Sequence, residues 1–108
     1  MDAIDGGSAA PLSISSAREA SRLIITLQGE LDISNVRALD EVLARELEDR
    51  PDELVVDVGR LGFMDSSGIA ALLRAEKRVG AVTLRSPSQI IRRVIVGTGL
   101  ADILRLEP

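Results

Sequence analysis

The spacing of apolar residues along this chain alternates between the period of a strand and that of a helix, and the changes mark its elements. Leu12 to Ser15 reads as a short strand. Arg22 to Gln28 reads as a longer one, around the run Leu23-Ile24-Ile25-Thr26-Leu27. With Arg18 to Ser21 between them, the two predict a hairpin. Gly29 is expected to end the second strand. Asp32 or Ser34 then stands where a helix needs a cap. Val36, Leu39, Val42, Leu43 and Leu47 recur at helical spacing, which leaves Arg37, Asp40, Glu41, Arg45 and Glu48 to solvent. Leu54-Val55-Val56-Asp57-Val58 is a run of the kind that forms a central parallel strand covered on both faces. Gly59 to Met64 reads as a loop.

Asp65-Ser66-Ser67-Gly68 opens a second helix, with Ile69, Leu72, Leu73 and Val79 on one side and Arg74, Lys77 and Arg78 largely on the other. Gly80 is its natural stop. Ala81 to Arg85 is the next strand. Ser86-Pro87 predicts a third helix, Ser86 as cap and Pro87 in the first turn, with Ile90, Ile91, Val94 and Ile95 as the buried stripe. Gly97-Thr98-Gly99 ends it, and Ile103 to Leu106 supplies a last short strand. This order calls for an α/β domain over 12–108: a mixed, mostly parallel sheet of four to five strands with helices packed against it. Met1 to Pro11 is rich in Gly, Ala, Ser and Asp without periodicity, and is expected to be a flexible tail.

Composition narrows the chemistry. The 108 residues are 45% hydrophobic, with one Phe and no Trp or Tyr, so the core must be aliphatic. A net charge of -4 and the lack of stacking platforms argue against nucleic acid as a partner. The charge is uneven: the chain is acidic up to Asp57 and basic beyond it. With no Cys and no His, thiolate metal sites and most standard catalytic constellations are excluded. No apolar run approaches a membrane span and no signal peptide is evident, so a cytoplasmic protein without membrane contact is expected.

Loops leaving the carboxyl ends of parallel strands meet at one edge, which should gather Glu30, Asp32, Asp65, Ser66 and Ser67. Two readings stand for this cluster. Asp65 and Ser66 serve only as helix caps, or Ser66 is a modification site whose phosphate is favoured by free helix amides and the dipole. The three carboxylates are an oxygen-rich set of the kind Mg²⁺ takes, but cap and solvated edge is the favoured reading for the isolated protein. A serine hydrolase lacks a base: Lys77, the only lysine, lies about 16 Å along the same helix at ~1.5 Å per residue. Leu54-Val55-Val56-Asp57 followed by Gly62-Phe63-Met64-Asp65 has the outline of a phospho-aspartate receiver. The first strand carries no acidic pair and the last has no lysine after it, so Asp57 is expected to be satisfied by loop amides. Gly97-Thr98-Gly99 follows a helix and lacks the third glycine of a dinucleotide loop.

Gly29-Glu30-Leu31-Asp32, followed about thirty residues later by Phe63-Met64-Asp65-Ser66-Ser67-Gly68 and an aliphatic helix, closely resembles the anti-sigma factor antagonists of the STAS domain family. The resemblance runs from about Leu12 to Leu106 and includes Gly97-Thr98-Gly99-Leu100. It implies a non-enzymatic switch. The unphosphorylated antagonist binds an anti-sigma factor that is also an ATP-dependent serine kinase, and so frees a sigma factor. The kinase phosphorylates the first serine of the motif, here Ser66, and a metal-dependent serine phosphatase reverses it. By the same resemblance Glu30, Asp32, Asp65, Ser66, Ser67 and Gly68 form the partner-binding surface, Gly68 keeping the helix start slim. No cofactor is implied, because ATP belongs to the kinase. The alternative within the family is a constitutive binding module that does not use the serine.

Overall fold

A computed structural model of the chain describes residues 11–107. Its elements run β1 (Ser13–Glu19), β2 (Arg22–Leu31), α1 (Val36–Glu46), β3 (Glu53–Met64), α2 (Ser66–Val79), β4 (Val82–Arg85), α3 (Gln89–Gly97), a 3₁₀ turn (Leu100–Asp102) and β5 (Leu104–Glu107). All but Pro11 of the expected tail lies outside the described residues. Five strands form one sheet in the order β1-β2-β3-β4-β5, antiparallel between β1 and β2 and parallel thereafter.

Sequential order with right-handed crossovers puts all the helices on one face, and the buried residues are arranged accordingly. Leu23, Ile25 and Leu27 of β2, Leu54, Val56 and Val58 of β3, Val82 and Leu84 of β4 and Leu104 of β5 all point to that side. They share one core with Leu39 and Leu43, Ala71, Leu72 and Ala75, and Ile91 and Ile95 of the three helices. The expectation that β3 is covered on both faces is corrected: among the described residues no helix stands on the other face. That face carries a polar ladder, in which Thr83 donates to Glu53 (2.8 Å), Arg22 pairs with Glu53 (3.7 Å) and Arg85 with Glu107 (3.0 Å). Val55 and Ile24 lie buried among these groups.

Boundaries moved for local reasons. The hairpin turn is Ala20-Ser21 alone, because Arg18 and Glu19 pair with Leu23 and Arg22. Gly29 does not end β2. It sits at φ 106°, where the β2–β3 pairing shifts by one residue, and the strand runs on to Leu31. The supposed loop from Gly59 to Met64 is strand. β3 holds two extra residues there against β2, one near Gly59 and one near Gly62, so it bulges rather than stops. The third helix begins two residues later than expected: Ser88 is the cap, its hydroxyl accepting from Ile91 N (3.2 Å), while Ser86 takes a left-handed φ of 58°. Among the described residues no helix is long and apolar enough to cross a membrane.

Candidate functional site

The bulged ends of β2 and β3 carry the chain beyond β4, whose pairing with β3 stops at Arg85 opposite Asp57. In the extension Glu30 pairs with Phe63 and Leu31 with Met64. The β2–α1 loop and the start of α2 therefore leave the sheet side by side. Asp65 fastens them together. Its backbone N donates to Leu31 O (3.2 Å), and its carboxylate Oδ2 accepts from Ile33 N across the gap (3.2 Å). Oδ1 caps α2 by accepting from Ser67 N (2.9 Å), Gly68 N (3.3 Å) and the Ser67 hydroxyl.

The donors converging on Asp65, the Ser67 hydroxyl first and then the amides of Gly68, Ser67 and Ile33, hold its carboxyl below the usual range against the opposing effect of burial. A depressed carboxyl stabilises the fold above its unfolded pKa, and that contribution disappears as pH falls through the folded value. Asp65→Asn keeps an acceptor but no charge. The stability difference between wild type and Asp65→Asn is therefore expected to be full at pH 7, to begin to shrink near about pH 4 and to be lost only as pH falls through the lower folded value, measured by urea unfolding across pH. Asp65→Ala, which removes the cap, is expected to cost about 1 kcal/mol at neutral pH.

The α1 side is organised by a residue that sequence reasoning missed. Asn35 occupies the cap position in place of Asp32 or Ser34, yet its side chain turns back to the strand. Its Oδ1 accepts from Asp32 N (3.0 Å) and its Nδ2 donates to Glu30 O (2.9 Å). The Asp32 carboxylate closes its own turn on Ser34 N (2.9 Å) and the Ser34 hydroxyl. An Asn three residues after a candidate cap was the available signal, since Asn side chains commonly bond nearby backbone.

The two serines are thus placed differently. Ser67 is half-buried with its hydroxyl on Asp65, whereas Ser66 is exposed and its hydroxyl makes no hydrogen bond among the described residues. Fewer free amides are left for a phosphate than expected: Asp65 engages Ser67 N and Gly68 N through its side chain and Ile69 N through its carbonyl (3.2 Å), which leaves that of Ser66 itself. Gly68 faces inward. A Cβ there would stand 2.7 Å from Met64 Cγ and 2.8 Å from Leu31 Cδ2, so the absence of a side chain serves packing against β2 and β3. Among the described residues no three carboxylates converge on a position for a metal ion. Asp57 lies apart from this edge and accepts from Gly59 N (2.9 Å) at the first bulge.

Two exposed apolar residues, also missed as site residues, border the cluster: Ile33 is 77% exposed and Phe63 45%. Glu30, Asp32 and Asp65 enter none of the ion pairs among the described residues.

A family model described as Mlab, STAS domain matches residues 14–106. The anti-sigma-F factor antagonist RsfB of Mycobacterium tuberculosis is 27% identical over 86 residues, covering 77% of this chain and 70% of RsfB. The crystal structure of an anti-sigma factor antagonist from Mycobacterium paratuberculosis superposes with a TM-score of 0.83 at 23% identity, over 91% of this chain and 86% of that one. The anti-sigma factor antagonist SpoIIAA in its unphosphorylated form gives 0.76 at 22% identity over 89% of each chain. The phosphorylated form of SpoIIAA, from Bacillus, gives 0.69 at 22% identity over 91% of this chain and 92% of that one.

Proposed function

From its membership of the STAS domain family, to which this chain belongs, we propose that it is an anti-sigma factor antagonist switched by phosphorylation of Ser66. In its unphosphorylated state it binds an anti-sigma factor that is also a serine kinase, and a sigma factor is released in the cytoplasm. The chain performs no catalysis and carries no cofactor. The observation that carries this reading is the contrast between the serines: Ser66 offers an exposed, unengaged hydroxyl on a helix start that Asp65 holds in place, while Ser67 is spent on Asp65.

The division of labour follows. The kinase supplies the base and Mg-ATP, the Ser66 oxygen attacks the γ-phosphorus, the bond to ADP breaks, and the hydroxyl proton passes to the kinase. Asp65 and Ser67 keep the first turn of α2 ordered while Ser66 enters the kinase active site. Glu30 and Asp32 face the same partner. Gly68 acts from beneath, by letting the helix start sit close to β2. A serine phosphatase removes the phosphate and restores binding.

The test is to incubate the protein with Mg-ATP and each purified serine-kinase anti-sigma factor of its own organism, then to locate phosphate by fragment mass spectrometry. The expected result is one phosphate, on Ser66, absent from Ser66→Ala, which still binds the kinase. A complex without phosphate would reduce the reading to a constitutive binding module. Neither complex nor phosphate with any of the factors would overturn it.

A further inference from the structure

We infer that Ile33 and Phe63 are the two apolar anchors on which the partner kinase docks, and that they determine its affinity separately from the phosphorylation of Ser66; this rests on the function proposed above. Single exposed apolar residues are ordinary on protein surfaces. These two differ in where they stand and how they are held.

Ile33 lies in a loop whose backbone is fixed on three sides. Its own N donates to Asp65 Oδ2, Asn35 clamps Asp32 N and Glu30 O, and Asp32 closes the turn at Ser34. A side chain 77% exposed on so constrained a backbone loses little conformational freedom when a partner covers it. Phe63 is the sole aromatic residue of the chain and projects from β3 beside Glu30, three residues before Ser66. Its neighbour Met64 faces the helices and is buried, so Phe63 faces the other way. Ile33 is bonded to the residue that precedes Ser66 and Phe63 stands three residues before it, so a protein that covers this edge is expected to meet both.

Charge identifies the occupant. Glu30, Asp32 and Asp65 have no cationic partner among the described residues, so the surface that covers this edge must bring its own. The docking surface of the kinase is therefore expected to present apolar pockets for Ile33 and Phe63 framed by Arg or Lys. That is the usual anatomy of a specific interface, with an apolar centre and a polar rim.

The test compares wild type, Ile33→Ala, Phe63→Ala and, as a control, Ile90→Ala, another exposed apolar residue on α3. Affinity for the purified anti-sigma factor kinase is measured by calorimetry and phosphorylation of Ser66 by steady-state kinetics. Thermal unfolding checks that each variant folds. Ile33→Ala and Phe63→Ala are expected to weaken binding about tenfold or more. They should raise KM with kcat little changed, while Ile90→Ala behaves as wild type. Wild-type affinity in both site variants, or equal losses in Ile90→Ala, would overturn the inference and leave the proposed function standing. A wild-type protein that neither binds nor is phosphorylated by any such kinase would instead remove the proposed function, and this inference with it.

Discussion

Gly68→Ala is expected to destabilise the protein by about 1–2 kcal/mol, the reverse of what helix propensity alone gives. Within α2 an alanine gains roughly 1 kcal/mol over glycine through the entropy of the unfolded chain. Here the new methyl meets Met64 Cγ at 2.7 Å, Leu31 Cδ2 at 2.8 Å and Leu31 Cγ at 2.9 Å. Leu31 is fully buried and Met64 nearly so, and a shift of either disturbs its own packing in the core. Overpacking a closed core costs about 1–3 kcal/mol; three contacts under 3.0 Å put this site in the upper part of that range, about 2–3 kcal/mol, which leaves a net loss of about 1–2 kcal/mol after the propensity gain. Urea and thermal unfolding measure the loss, expected as a fall of several degrees in Tm. The mechanism has its own check. In a Leu31→Ala background, where two of the three obstructing atoms are gone and Met64 gains room to shift, adding Gly68→Ala is expected to cost clearly less than in wild type, and strict additivity would refute the packing account.

Ser66→Asp is expected to bind the anti-sigma factor kinase at least tenfold more weakly than wild type, with stability unchanged within about 0.5 kcal/mol because the side chain lies in solvent. The size of the effect follows from what Asp65 has already taken. With the amides of Ser67, Gly68 and Ile69 engaged, a charge at position 66 has only its own amide left in that turn to rest on and must be desolvated by the partner. In the complex proposed above, Ser66 is presented to the phosphates of the kinase's nucleotide, so the added charge is expected to meet its own sign. A phosphate, with about -1.5 to -2 charges, has the larger effect. Ser66→Asn separates charge from size: affinity near wild type for Asn and a loss for Asp supports an electrostatic switch. Equal losses for both would mean that the interface responds to bulk.

Much of this was legible from the sequence. The alternation in β2 and the helical stripes of α1 and α2 are long, strongly periodic signals, and Asp65-Ser66-Ser67-Gly68 marks a helix start by its chemistry alone. The continuation of β3 beyond Val58 was not legible, because Gly59 and Gly62 interrupt the alternation that a bulged strand keeps only in three dimensions. Ser86 and Ser88 are equivalent as cap residues on paper. The choice fell to Ser88 because Ser86 N is drawn to Glu107 O (2.9 Å), a contact between strands distant in the chain. The gathering of carboxylates at one edge could be anticipated from strand order. The hydrogen bond from Ile33 N to Asp65 could not, since it joins two loops whose separation depends on those same bulges.

The strand order has a kinetic consequence. Each strand pairs with the one laid down just before it, so no pairing waits for a segment made much later. Each parallel pairing still joins residues some 22–33 apart, as in Val82 with Leu104 and Leu31 with Met64, so loop closure comes before contact and folding is expected to be slower than in a helical bundle of this size. During synthesis β1, β2 and α1 emerge ahead of the strand that completes their half of the core. All the residues of the Ser66 edge have been made once α2 has followed, before either β4 or β5.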